Sequence, residues 1–317
     1  MGTFLVTAKM SPELAARIEA SVTGRASTPM RRRLASMARA AVALVLVWAI
    51  TSVVASERRT KRDFENARNA LLNTVRAEAA SITDEDRQAP VRMETWLVRL
   101  AGPYEGDFVA TNVTRSILER PAVYVRGVRE AFGSGERAAA AAHESVKDSF
   151  LVCLLDPPSA RTEKELLAKG RIALGGGARV EEATPNARRT DDARAALPFL
   201  EPAFAQSIET AVDAPQVATL RTRFEKAPVA QAKQAMRAEL LIAVLDEADS
   251  STGPTEIDGE RAHDVRITIT DLRTSQVLVR MKRHVDPAWI SAEHRTQYSA
   301  VLDSCALAFD VREALRK

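Results

Sequence analysis

The sequence has little cysteine, little excess charge of either sign and few long apolar runs, and each shortage excludes a class of protein. Two cysteines in 317 residues exclude a small domain held together by disulfides. With 46% hydrophobic and 27% charged residues, the chain is not wholly disordered. A mean hydropathy of -0.16 excludes a protein with many membrane spans. What remains is a folded protein of one large or two ordinary domains, with room for one membrane segment.

The usual motifs of catalysis and cofactor binding are also missing. The sequence contains no GxxxxGKS/T, no GxGxxG after an expected strand, no HExxH, no CxxC pair and no GxSxG. We therefore expect no cofactor and no bound metal, and we favour a protein without catalytic activity while an enzyme stays open as the alternative.

One charge-free apolar run occupies residues 40–56, and counting back to Leu34 extends it with a single charge, Arg39. At 1.5 Å per residue, this length reaches the lower limit for crossing about 30 Å of hydrocarbon. The run predicts one transmembrane helix over residues 34–56, although a cleaved signal peptide starting at Met30 or a buried core helix would also fit. Basic residues flank it on both sides: Arg31, Arg32, Arg33 and Arg39 come before, and Arg58, Arg59, Lys61 and Arg62 after.

These flanking charges do not decide the orientation, since their numbers on the two sides are equal. A tail with three consecutive arginines is hard to translocate, whereas a long carboxyl-terminal domain crosses largely regardless of its charge. We therefore expect the tail in the cytoplasm and residues 57–317 in the periplasm, with the protein in a bacterial inner membrane. The pI of 9.0 fits this division, because residues 1–39 hold seven basic and two acidic residues and thus carry the excess charge.

The tail, residues 1–33, begins with an alternating segment, TFLVTAKM, followed by SPELAARIEASV. Ser11, Pro12 and Glu13 are typical of a helix start, and an amphipathic helix of about three turns follows. Over about twenty residues this resembles the first half of a ribbon-helix-helix DNA-binding module, but the apolar run stands where its second helix should be. We expect a helix that contacts a partner or the membrane surface. A membrane-tethered regulator with a DNA-binding tail is the less favoured alternative.

Residues 57–100 predict a helical stalk. Residues 57–82 lack glycine and proline and place apolar side chains on one face, so the helix should continue beyond the apolar run. This face would pack against the chain's own domain or, as an alternative, pair with a second copy in a homodimer. Thr83 with Asp86 three residues on predicts the start of a second helix, which AGPYEG at 101–106 ends.

Residues 101–317 predict an α+β domain with a small mixed sheet of about four strands, covered by helices on one face. Apolar runs place the strands at 149–155 and 239–246, and alternation predicts a hairpin at 263–272 and 276–285. Residues 121–127 are a further candidate strand. Short helices are expected across 191–238, where prolines interrupt the pattern, and a last amphipathic helix should contain Tyr298, Leu302, Cys305 and Phe309.

Asp156 and Asp246 are the candidate catalytic residues of the alternative, a membrane-anchored hydrolase. Each directly follows an expected strand, so two adjacent parallel strands would bring both carboxylates to one sheet edge, with His263 or His284 nearby. The ordinary interpretation is that an acidic residue after a strand starts a turn. The four histidines show no ligand spacing and are expected on the surface.

Two further features have two interpretations each. Arg266, Arg280, Lys282 and Arg283 would form a basic sheet face for an anionic partner, or a simply solvated one. Cys153 and Cys305 lie in apolar runs, where cysteine is usually a small core residue, while an even number also permits one disulfide in an oxidising compartment. The favoured function is a non-enzymatic, single-pass envelope protein whose outer domain binds another protein or a ligand.

Overall fold

The computed structural model of the protein describes residues 12–13, 16–17, 29–159, 162–175, 178–247, 262–286 and 292–315. The chain divides into two compact units, Met1–Asn66 and Ala67–Lys317. Most of the predicted tail helix at 11–22 and its likeness to a DNA-binding module lie outside the described residues.

The first unit contains most of a single long helix, α1, which runs from Pro29 to Ala80. Its apolar side chains are open to the surroundings, with Leu44 71% and Trp48 72% exposed. Burial inside the protein therefore does not explain the run, which overturns the interpretation as a core helix. The helix is long and apolar enough to cross a membrane. The flanking residues Arg39, Arg58, Arg59, Lys61 and Arg62 are exposed as well.

The second unit is a mixed α and β structure around a six-stranded sheet. Its strands are β1 (Phe108–Val109), β2 (Ala122–Val128), β3 (Ala187–Arg189), β4 (Leu240–Asp246), β5 (His263–Asp271) and β6 (Gln276–Val285). The strand order is β1-β6-β5-β4-β2-β3. Strands β2, β3 and β4 are parallel, and the remaining neighbours pair antiparallel.

Helices account for most of the rest of this unit. In chain order they are α2 (Asp84–Leu100), α3 (Gly135–His143), α4 (Phe150–Leu155), α5 (Glu163–Gly175), α6 (Ala178–Ala183), α7 (Asp192–Ala195), α8 (Leu197–Leu200), α9 (Pro202–Glu209), α10 (Ala214–Lys226), α11 (Val229–Met236) and α12 (Ala292–Ala314). Short 3-10 helices cover Arg115–Glu119 and Arg129–Phe132. Thr83 and Asp86 form the predicted capping box at the start of α2, since each side chain accepts from the other residue's backbone N–H.

The hairpin β5–β6 and strands β2 and β4 confirm four of the predicted elements. The sheet has six strands rather than about four, because the short β1 and β3 add one strand at each edge. Strand β4 is also covered on both of its faces, whereas cover on one face is expected from the sequence. All seven residues of β4 are buried, which requires cover on each side.

The strand predicted at 149–155 is wrong, since this segment is the helix α4. A short apolar run such as FLVCLL has no periodicity that separates a buried strand from a buried helix. Here the helix buries Phe150, Val152, Cys153 and Leu154 and packs against α12. The Ser149 hydroxyl donates to the carbonyl oxygen of Val301 at 2.5 Å, which ties the start of α4 to α12.

Most of the predicted stalk, from Ala67 onward, is part of this unit. From Ala67 onward α1 belongs to the second unit, and Leu71, Leu72 and Val75 are buried. The side chain of Lys233 pairs with Glu78, and Arg76 pairs with Glu209. Packing of this stretch against the chain's own domain is therefore observed.

Close packing of α5 against α12 leads to a prediction for Gly170. A Cβ atom at this position would lie 2.2 Å from Cγ1 of Val301, which is closer than van der Waals contact allows. Although alanine is the better helix former, we expect Gly170→Ala to lower the free energy of unfolding by about 1–3 kcal/mol because the contact is overpacked. Chemical denaturation of the full chain in detergent measures this change.

The matched control is Gly175→Ala at the end of the same helix, where a Cβ atom meets no atom within 4 Å. This variant should be as stable as the wild type or slightly more stable. Equal stability of both variants would show that α5 and α12 do not pack as described.

Candidate functional site

The two predicted catalytic aspartates lie in different surroundings. Asp156 follows the helix α4 and forms a salt bridge with Lys169. Asp246 is the last residue of β4 and is fully buried, where it contacts Arg126 and His263. The shared sheet edge that would have joined the two carboxylates depended on a strand at 149–155, and that strand does not exist. The structure instead links Asp246, through Arg126, to another carboxylate, Asp148.

Arg126 is at the centre of this buried cluster. It lies on β2, where its partner in the register is Val244 of β4, two residues before Asp246. Its Nε and Nη2 donate to the two carboxylate oxygens of Asp246 at 3.0 and 2.8 Å, a bidentate pair. Its Nη1 donates to Asp148 at 2.8 Å and to the Ser304 hydroxyl at 2.6 Å.

The two carboxylates have further partners. The Tyr124 hydroxyl lies 2.9 and 2.8 Å from the two oxygens of Asp148, whose Oδ1 also accepts from the backbone N–H of Phe150 at 3.2 Å. Nε2 of His263 lies 3.0 Å from Oδ1 of Asp246. We call the set Tyr124, Arg126, Asp148, Asp246, His263 and Ser304 the Arg126 network.

Burial and charge set the pKa values in the Arg126 network. Burial raises the pKa of Asp148, and the hydrogen bonds and charge of Arg126 offset only part of that effect. Burial also disfavours ionised Asp246, but the Arg126 guanidinium and the hydrogen bond with His263 outweigh it and lower the pKa to about 2. Burial, reinforced by the charge of Asp148, raises the pKa of Tyr124 far above its ordinary value. The phenol therefore stays protonated and donates to Asp148.

The Arg126 network joins elements rather than exposing reactive groups. The side chains of Arg126, Asp148, Asp246 and His263 are at most 5% exposed. A general acid or base must come within hydrogen-bond reach of its substrate, which this burial prevents. The network connects β2, β4 and β5 with the segment before α4 and with α12, so its geometry supports a structural role.

His263 corrects the expectation of surface histidines. It lies 4% exposed at the start of β5, whereas the side chains of His143 and His284 are exposed and pair with Asp191 and Asp264. The His294 side chain lies outside the described residues. The sequence predicts that His263 or His284 lies near Asp246, and the structure shows His263 there, while His284 contacts Asp264.

The low pKa of Asp246 predicts a pH dependence of stability. Its folded-state pKa of about 2 lies below the unfolded value of about 3.9, so its stabilising effect is complete above about pH 5 and is lost progressively as pH falls through about 2. Asp148 acts in the opposite sense, because its pKa is raised in the folded state. We expect the Asp246 contribution to be about 2–3 kcal/mol. Denaturation curves between pH 5 and 2.5 should show a steeper loss in the wild type than in Asp246→Asn, and equal slopes would contradict the assignment.

The basic residues of the β5–β6 hairpin do not form an open cationic face. Each one pairs with a carboxylate: Arg266 with Glu247, Arg280 with Glu105, Lys282 with Glu247 and Asp264, and Arg283 with Asp107 and Asp310. Lys282 Nζ, for example, lies 2.6 Å from Glu247 and 2.8 Å from Asp264. This neutralisation argues against a surface for an anionic partner, and Arg266 is buried rather than solvated.

Surface clefts of the second unit are features that sequence reasoning missed. One, of about 580 Å³, is formed by residues 70–78 of α1 with α10 and α11, and includes Phe224 and Lys233. Another, of about 600 Å³, lies between residues 75–80 of α1 and the region of α8 and α9. A smaller one of about 260 Å³ lies where β2, β3 and β4 begin. These clefts depend on the packing of distant helices, which leaves no local signal in the sequence.

In the described part of the chain, no group of three His, Cys, Asp or Glu side chains is placed to hold a metal ion. No protein-family model matches the chain, and comparisons with curated proteins and with solved structures find no significant match. Function is therefore inferred from the fold and from the geometry of the protein surface.

Proposed function

We propose that this chain is a single-pass membrane protein of the bacterial envelope whose second unit lies in the periplasm and binds a protein or a small ligand without catalysis. The apolar segment of α1 supplies the anchor, because it has the length of a membrane span and exposes its apolar side chains. The arginines at 31–33 favour a cytoplasmic position for the tail.

The observation that carries the proposal is the disulfide between Cys153 and Cys305. It joins α4 to α12 across 152 residues of sequence, and both sulfurs are buried in the core between these helices and the sheet. Disulfides of this structural kind persist in oxidising compartments and are rare in the cytosol. A disulfide in the unit that follows the apolar segment supports our proposal that this unit lies on the oxidising side of the membrane.

Two observations support binding over catalysis. The ionisable groups of the Arg126 network are shielded from solvent, and Asp156 pairs with Lys169 at a different place. The open surface instead offers clefts of the size that ligands and partner side chains fill.

The redox state of the two cysteines in cells tests the proposal. Cells are quenched with acid, the protein is denatured, and free thiols are tagged with a maleimide polymer before and after reduction. We expect no tag on the full chain before reduction and two tags after it. Cys153→Ser, which leaves one cysteine, should carry one tag without reduction.

A variant that lacks residues 40–56 is the matched control for compartment. It should remain in the cytoplasm and carry two tags without reduction. Two tagged thiols on the unreduced full chain would overturn the periplasmic assignment.

A further inference from the structure

The smallest of the three clefts is distinguished by its charge. It lies at the amino-terminal ends of β2, β3 and β4, beside the carboxyl-terminal end of α11. We call it the basic cleft, and it is lined by Pro121, Pro185, Asn186, Arg188, Lys233, Gln234 and Arg237. Three lining side chains are cationic and none is a carboxylate. The hairpin cations all pair with carboxylates, whereas one cation of this lining, Arg188, forms no salt bridge within the described residues.

Two of the three cations have acidic partners outside the lining. Lys233 pairs with Glu78, and Arg237 lies 3.5 Å from a carboxylate oxygen of Asp86 while it donates to the carbonyl oxygen of Ser81. Both also lie in or just after the last turn of α11, where a positive charge complements the helix dipole. They contribute positive potential to the basic cleft but are already held in place.

Arg188 is in a different situation. Its Nη1 donates to the carbonyl oxygens of Thr184 and Ala187, at 3.4 and 2.6 Å. Its Nε is buried and has no hydrogen-bond partner within the described residues, and within them the guanidinium forms no salt bridge. Asp192 interacts with it electrostatically at longer range. A buried donor without an acceptor costs free energy, and an incoming anion would remove that cost.

We propose that the basic cleft binds a phosphate group, carried by a small soluble molecule or by a lipid headgroup, with Arg188 as its principal contact. A guanidinium offers parallel N–H donors that match two phosphate oxygens, and Lys233 and Arg237 add positive charge. The volume of about 260 Å³ suits a small phosphate-bearing group. This inference specifies a ligand class for the proposed binding function and rests on that function. It does not depend on which side of the membrane the second unit occupies.

The test measures phosphate binding to the full chain in nanodiscs of phosphatidylcholine, by calorimetry at constant ionic strength with chloride as the replaced anion. We expect saturable binding to the wild type and at least tenfold weaker binding to Arg188→Gln. The matched control is Arg171→Gln, an exposed position on α5 with the same loss of charge, and its affinity should stay within twofold of the wild type.

Nanodiscs that contain phosphatidic acid distinguish the two sources of the phosphate. If a headgroup occupies the basic cleft, soluble phosphate should bind the wild type at least tenfold more weakly in these nanodiscs. If a soluble molecule is the ligand, the affinity should be the same in both. Either result supports an Arg188-dependent phosphate site.

Absence of saturable binding, or equal binding by the wild type and Arg188→Gln, would overturn the inference. If Arg188→Gln does not fold, Arg188→Lys replaces it, and loss of the planar fork should still weaken binding severalfold. Failure here leaves the thiol result unaffected, because the redox state of Cys153 and Cys305 does not depend on a ligand.

Discussion

Replacing Arg126 with methionine is expected to lower the free energy of unfolding by about 3–5 kcal/mol, the range for removal of one partner from a buried ion pair. The substitution leaves the carboxylates of Asp148 and Asp246 buried side by side without the guanidinium that neutralises both. It also removes the side-chain hydrogen bonds from β2 to Asp246 on β4 and to Ser304 on α12. Denaturation of the full chain in detergent, followed by the fluorescence of its tryptophans, measures the loss.

Two variants separate this effect from a general loss of charge. Arg171→Met removes an exposed arginine and should change stability by less than about 0.5 kcal/mol. Adding Asp148→Asn and Asp246→Asn to Arg126→Met should recover part of the loss, because uncharged groups are cheaper to bury than ions. If Arg126→Met were no more harmful than Arg171→Met, the Arg126 network would not be buried as described.

Reducing the Cys153–Cys305 disulfide should cost about 2–5 kcal/mol, the usual range for a native disulfide. The bond closes a long loop, with a sequence separation of 152 between the two cysteines, and therefore restricts the unfolded chain strongly. The wild type should lose this stability on addition of a reductant. The double variant Cys153→Ala and Cys305→Ala should be less stable than the oxidised wild type and indifferent to reductant. Equal wild-type stability with and without reductant would show that the bond does not form.

Sequence patterns predicted the elements whose signal is local. The alternation of Val265, Ile267 and Ile269 with polar residues identified β5, and the Thr83–Asp86 spacing identified the start of α2. The charge-free run at 40–56 likewise identified the apolar part of α1. Each of these follows from side-chain periodicity, capping or composition within a few turns of chain.

The predictions that fail depend on contacts between residues that are far apart in the sequence. The run FLVCLL forms a helix because α12 and the sheet cover it, and nothing in its six residues reveals that contact. The short strands β1 and β3 form at edges that their partners β6 and β2 provide. Cys153 and Cys305 do lie in apolar runs, as a core interpretation requires, yet they are also bonded to each other.

The sequence predicts only part of the Arg126 network. The end of an apolar strand correctly indicates Asp246, but the carboxylate that shares Arg126 with it is Asp148 and not Asp156. A better signal was Arg126, which shares the inward face of β2 with Tyr124 in an otherwise apolar strand. A charge at an inward position requires a buried acid, although only the fold shows that Asp148 and Asp246 supply it.

The central claim, that the second unit lies across the membrane from the tail, is tested most directly by alkaline phosphatase fused after Lys317. This enzyme is active only where its own disulfides form, and the matched control is the same fusion without residues 40–56. The account predicts an active enzyme on the full chain and an inactive one on the control. An inactive enzyme on the full chain, together with a fluorescent protein that matures when fused at the same point, would contradict it.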